Sequence, residues 1–126
     1  MPYEIIWEPI GVIKRHFGKV TGDELLDAVQ KTEGSPNFDS YRYVINDFLD
    51  CTEISVSKRE TEIIAAIDNA ASQTNKRIRI AIVAINPNVI DLATHYANDP
   101  LTPYPTKLFS TMKEARAWIG KDAITR

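Results

Sequence analysis

The sequence predicts an α/β domain: a mixed β-sheet that opens with an antiparallel hairpin, continues as βα units and carries helices packed on the sheet. Two patterns carry this. Short β-type runs alternate with amphipathic helical stretches, and three capping boxes mark helix starts. A third sign is the isoleucine-rich run that ends at Ile85, which suits a central strand covered on both faces. No repeat, low-complexity tract or linker interrupts the chain, so residues 1–126 are expected to form one domain.

Tyr3 to Glu8 and Val12 to Phe17 are the first two strand candidates, and Pro9-Ile10-Gly11 between them favours a hairpin. Thr21-Gly22-Asp23-Glu24 is a capping box, followed by Leu25, Leu26, Ala28 and Val29 on one helical face. Gly34-Ser35-Pro36-Asn37 breaks that helix, and Tyr41 to Phe48 reads as a strand. Ser57-Lys58-Arg59-Glu60 is the second capping box; Ile63, Ile64, Ile67, Ala70 and Ala71 share a face behind it. Lys76 to Ile85 follows as a strand, and Asn86-Pro87 starts a helix bearing Val89, Ile90, Leu92, Ala93 and Tyr96. The proline-rich loop from Pro100 to Pro105 leads to a short strand, Lys107 to Phe109. Thr111-Met112-Lys113-Glu114 opens a last helix with Met112, Ala115, Trp118 and Ile119 inward, and Gly120 is its expected end.

Composition narrows the function classes. A chain of 126 residues, 44% hydrophobic and 25% charged, buries about 65% of its unfolded surface without needing a metal or disulfide staple. Its single cysteine, Cys51, excludes an intramolecular disulfide and is ordinary in a reducing compartment. No apolar run approaches the ~20 residues of a membrane span, and the start lacks a charged-then-apolar leader pattern, so a cytoplasmic location is expected. A net charge of −2 argues against a nucleic-acid partner, which calls for a basic excess. Lys14-Arg15 and Lys76-Arg77 with Arg79 read as small local positive patches, too few for a membrane or nucleic-acid surface.

The element order, together with the run Asp47-Phe48-Leu49-Asp50-Cys51-Thr52-Glu53-Ile54-Ser55-Val56-Ser57-Lys58, resembles the STAS superfamily and, within it, the SpoIIAA-like family. In typical STAS domains a strand-end Asp-Leu is followed by a small-residue turn and by Asp-Ser-Ser/Thr-Gly at a helix start. Asp47 matches the strand-end aspartate and Ser57 the serine that such members phosphorylate. Ser55 stands in place of the second aspartate, and Lys58 in place of the glycine. The ending, Lys107-Leu108-Phe109-Ser110 through Glu114-Ala115-Arg116-Ala117-Trp118-Ile119, looks like the SpoIIAA-like branch. The resemblance implies a non-enzymatic regulatory or binding module without a cofactor. Its partner would be a protein, and phosphorylation would switch the contact. For the SpoIIAA-like branch it also implies apolar-ligand binding, membrane association and homodimers.

Candidate sites follow from both lines of reasoning. Ser57 reads most simply as an N-cap worth ~1 kcal/mol; phosphorylation would be an added role. Lys58 and Arg59 sit in the first helical turn, where the macrodipole disfavours cations by roughly 0.3–1 kcal/mol each. With Ser55, Ser57 and Asp47 they form the expected partner- or anion-binding surface. Asp47 and Asp50 lack a glycine-rich phosphate loop, so turn and strand-end roles are preferred over acid–base chemistry. His16, His95 and Cys51 are isolated, without the close spacing of metal ligands, and no metal site is expected. The stiff loop bearing Leu101 and Tyr104 reads most simply as a lid over the domain's own core; the alternative site joins Tyr96, Leu101 and Tyr104 into the rim of a pocket for a small apolar molecule or a dimer contact.

Overall fold

The computed structural model describes residues 3–123, with side chains up to residue 120. Strands β1 (Tyr3–Glu8) and β2 (Gly11–His16) form the expected hairpin, joined by Pro9 and Ile10, with Glu8 opposite Gly11. Strands β4 (Tyr43–Asp47), β6 (Arg79–Val83) and β7 (Thr106–Phe109) complete a five-stranded sheet in the order β1-β2-β4-β6-β7. Only the hairpin is antiparallel; β2–β4, β4–β6 and β6–β7 are parallel, as crossover helices demand.

Two strands are additions to the sequence reading. Strand β3 (Gly18–Thr21) and strand β5 (Cys51–Ser55) pair in parallel as a separate small sheet, with Val20 opposite Ile54 and Thr21 opposite Ser55. Gly18, at φ +68°, turns the chain out of β2 into β3, a conformation that glycine adopts without steric cost. This pairing sets the starts of helix α1 (Gly22–Glu33) and helix α2 (Lys58–Ala71) side by side. They meet so closely that a Cβ on Gly22 would lie 2.0 Å from a carboxylate oxygen of Glu60.

The capping boxes explain both starts. Thr21 Oγ1 accepts from the Glu24 N–H, Ser57 Oγ from the Glu60 N–H, and each glutamate returns to the cap's own N–H. Helix α3 (Pro87–Ala97) begins at Asn86, whose side chain accepts from Asn88 N–H at 2.8 Å. Helix α4 (Met112–Ala123) runs through Gly120, which is therefore an interior helical residue and not the terminator expected from sequence.

Helices α1, α2 and α3 cover one face of the sheet, while α4 alone covers the other. On the α4 side Ile13, Ile45, Ala81 and Val83 pack with Ala115 and Ile119. Fully burying a side chain such as Ile45 stabilises the fold by roughly 1.5–3 kcal/mol. A polar clasp closes this side: Arg116 on α4 donates to both carboxylate oxygens of Glu8 (2.7 and 2.5 Å), and the Tyr43 hydroxyl donates to the same group. Gly11 leaves room for that tyrosine, since a Cβ there would sit 2.4 Å from its ring. Gly11→Ala is therefore expected to lower the urea midpoint by the equivalent of ~1–3 kcal/mol at unchanged slope, and an unaltered midpoint would refute this packing.

Candidate functional site

Alternation along β2 decides the chemistry of the three-helix face. Val12, Lys14 and His16 share a side of the strand, so a lysine and a histidine enter the interior beside an apolar residue. Lys14 is 7% exposed and His16 is 2% exposed. The small positive patch expected from Lys14-Arg15 is therefore absent. Lys14 is buried, and Arg15, on the opposite face, is met by Glu4, Asp47 and Asp50.

These side chains line a cavity of about 110 Å³ between the sheet and helices α1–α3. One water needs only ~10–15 Å³ of such space, so the void has room for a molecule of on the order of ten heavy atoms. Most of its wall is apolar: Leu25 and Val29 from α1, Ile64 from α2, Val89 and Ala93 from α3, Ile82 from the sheet. Val44 and Asn46 belong to the central strand, yet both remain half-buried, and both line the cavity.

Against this apolar wall stands a polar cluster. Glu33 ends α1, Asp68 is 6% exposed on α2, and the Tyr96 hydroxyl on α3 donates to the Asp68 carboxylate. Burial first, then the hydrogen bond and charge of Asp68, push the Glu33 carboxyl up to about 9, so the pair keeps one proton at neutral pH. Burial lowers the Lys14 pKa, and the charges of Asp68 and Glu33 oppose that fall. Among the described residues no carboxylate lies within 4.0 Å of the Lys14 ammonium. Tyr96 is pushed well above the phenol range by burial and then by Asp68.

His16 stacks on Phe48 with ring centroids 4.9 Å apart and an interplanar angle of 14°. Its Nδ1 is buried without a hydrogen-bond partner. Burial, with the charge of Lys14 in second place, drives its pKa down to about 3, so the ring stays neutral.

The other expected residues lie as follows. Ser57 is exposed at the cap of α2, its Oγ both accepting from the Glu60 N–H and donating to the Glu60 carboxylate at 3.1 Å. Ser55, Lys58 and Arg59 are exposed around it. Asp47 is not brought to this surface by the same face of the sheet: it turns toward Arg15 (3.7 Å) and accepts from Leu49 N–H. Tyr96 and Tyr104 line the cavity, and the Tyr104 hydroxyl donates to the Asn75 carbonyl at 2.8 Å. Leu101 is 48% exposed and outside the lining; its carbonyl accepts from Asn69. Cys51 is buried, and His95 meets Glu62 on the surface at 3.0 Å. Among the described residues no three His, Cys, Asp or Glu side chains gather to hold a metal, and no helix is long and apolar enough to cross a membrane.

Glu33 and Asp68 are the residues that sequence reasoning missed. A signal existed: Asp68 follows Ile64 by four residues and Glu33 follows Val29 by four, so both charges lie on apolar stripes.

No family model matches the chain, and no curated protein matches it. Solved structures do. The anti-sigma factor antagonist SpoIIAA in its unphosphorylated form superposes with a TM-score of 0.61 at 9% identity, over 95% of this chain and 98% of that one. This chain has the SpoIIAA-like fold. The Bacillus cell fate determinant SpoIIAA in its phosphorylated form gives 0.60 at 13% identity, covering 93% of this chain and 98% of that one. An uncharacterised DUF3478-family protein from Shewanella loihica, also SpoIIAA-like in fold, gives 0.56 at 13% identity over 93% and 91% of the two chains. Identities this low establish the shared SpoIIAA-like fold and nothing finer.

The buried titratable groups make stability depend on pH from both sides. Below about 6.5 the unfolded chain protonates its histidine while folded His16 does not, so stability falls with falling pH until about 3. Between pH 7 and 5 this one residue is expected to account for about 2 kcal/mol, a loss that His16→Phe removes. Glu33 acts in the opposite sense: its raised pKa gives stability that is lost as pH climbs from its ordinary 4.5 through about 9. Glu33→Gln should flatten that alkaline limb. Urea titrations at several pH values check both, and parallel wild-type and variant curves would contradict the buried cluster.

Proposed function

We propose that this chain is a non-enzymatic binding module that takes a small, largely apolar, uncharged molecule into the cavity between its sheet and helices α1–α3. The observation that carries this is a void of about 110 Å³, apolar over most of its wall, with Lys14, Glu33, Asp68 and Tyr96 gathered on it. A hole of that size costs on the order of 2–3 kcal/mol, and a buried lysine adds a desolvation penalty. Folds keep such costs where binding needs them.

Charge selects the class of occupant. Lys14 and Asp68 offset one another, and the Glu33–Asp68 pair already retains a proton. A carboxylate ligand would bring a further negative charge beside Asp68. An oxygen acceptor such as a carbonyl or hydroxyl suits the ammonium and the acid proton without that repulsion. Of the three residues expected to rim an apolar pocket, Tyr96 and Tyr104 stand on the wall and Leu101 lies outside it.

A saturating medium-chain alcohol is expected to stabilise the protein by about 2.7 kcal/mol at a hundredfold excess over its Kd, read as a rise in thermal midpoint. Native mass spectrometry of gently purified protein should show a bound small molecule that Ala93→Trp, which fills the cavity, excludes. Bare protein from several hosts, with no midpoint rise for any apolar probe, would dismiss the reading.

A second reading rests on Ser57, an exposed hydroxyl at the cap of α2 with Lys58 and Arg59 beside it. Phosphate there would adjoin two cations and the N–H groups of the first turn, a surface suited to regulating a protein partner. Phosphosite mapping from native cells is expected to find Ser57 modified. Lys58→Glu with Arg59→Glu should abolish partner capture while the unfolding midpoint stays near wild type; undiminished capture removes this reading.

A further inference from the structure

The cavity holds an amine as well as a void. Lys14 is enclosed by apolar wall, no carboxylate lies within 4.0 Å of its Nζ among the described residues, and an acid that keeps its proton belongs to the same cluster. We propose that Lys14 Nζ captures an apolar aldehyde or ketone as an imine inside the cavity, with the Glu33 carboxyl supplying the proton that lets the carbonyl oxygen leave as water. This rests on the cavity-binding reading and names the chemical class of its ligand.

Three features of the wall support it. A lysine is a nucleophile only as the free amine, and each unit by which burial lowers its pKa raises that fraction roughly tenfold near neutrality. The mostly apolar wall also leaves few polar groups to hold a water that would hydrolyse the product. Finally, Asp68 and Glu33 give the enclosure negative partners for the cation that forms part-way through the reaction.

The step balances as follows. The Nζ lone pair forms a bond to the carbonyl carbon, and the C=O π pair moves to oxygen. That oxygen takes up the proton the nitrogen sheds, giving a carbinolamine. Glu33 then protonates the hydroxyl, the C–O bond breaks, and water departs. The nitrogen lone pair closes the C=N bond, leaving an iminium beside the Glu33 and Asp68 carboxylates. Return of its proton to Glu33 gives the neutral imine and restores the acid. The net change is one amine and one carbonyl to one imine and one water, with no redox partner.

The test uses the full chain, octanal as the probe and sodium cyanoborohydride to trap the imine, with peptide mapping by mass spectrometry. Lys14 should be alkylated about tenfold or more faster than the exposed lysines, and 1-octanol, which forms no imine, should protect it by competition. Lys14→Met abolishes the fast label, while the exposed lysines Lys19, Lys58 and Lys76 label at their wild-type rates. Glu33→Gln slows labelling about tenfold and changes its pH profile. Lys14 labelled no faster than surface lysines overturns the imine. If octanol then still raises the midpoint, the binding reading survives alone; if it does not, both fall.

Discussion

A lysine on a strand buried by both its neighbours is the constraint on which this structure turns. Alternation gives β2 two faces, and pairing with β1 and β4 leaves no freedom to rotate Lys14 outward. A one-residue slip would bring Ile13 and Arg15 to the three-helix side and break the Arg15 contacts with Glu4, Asp47 and Asp50. Register therefore commits an ammonium to the interior. The rest of that side answers it: Asp68 from α2, Glu33 from α1, Tyr96 from α3, each on a different helix and each turned to the same space.

The two faces of the sheet solve different problems. On the α4 side, the Arg116–Glu8 ion pair at the margin fastens helix to strand, and the interior is filled by Ile13, Ile45, Ala81 and Val83. There the polar groups stand at the edge, where water shares the cost of charge. On the other side the polar groups are central and stand among aromatic and aliphatic side chains. His16 is one of the lining groups: a neutral ring stacked on Phe48, with one nitrogen unsatisfied. The first face reads as a fastener and the second as a receptacle.

Much of the fold was legible because its signals are local. The capping boxes at Thr21, Ser57 and Thr111 depend on four residues each; the first two close reciprocally, and at the third Thr111 Oγ1 accepts from the Glu114 N–H and donates to the Glu114 carboxylate. The parallel order followed from strands alternating with helices. What escaped was non-local. Strands β3 and β5 are four and five residues long and find each other across the whole of α1 and β4, so no window on the sequence contains the pair. Gly120 misled because a glycine near a helix end resembles a terminator unless packing carries the helix past it. At the site, Lys14 and His16 are visible in the sequence, but a Lys-Arg pair signals a surface patch and an isolated histidine signals no site. Glu33 and Asp68 seemed ordinary helical charges. Only the sheet register and three helix orientations together turn these four toward one void.

That convergence gives α2 two addresses. Its first turn carries exposed Ser57, Lys58 and Arg59; two and a half turns later it carries Asp68 on the cavity wall. The wall reaches back to the same end through Val56, the residue before Ser57. A helix moves as a unit far more readily than it bends, so what seats Asp68 also seats the capping box. Glu60 holds that box and lies against Gly22, tying the start of α2 to the start of α1. Since α1 carries Glu33 at its other end, both helices that meet at the surface are also both helices that supply the carboxyl pair inside. The cavity wall and the exposed cap of α2 are thus built on one shared pair of helices.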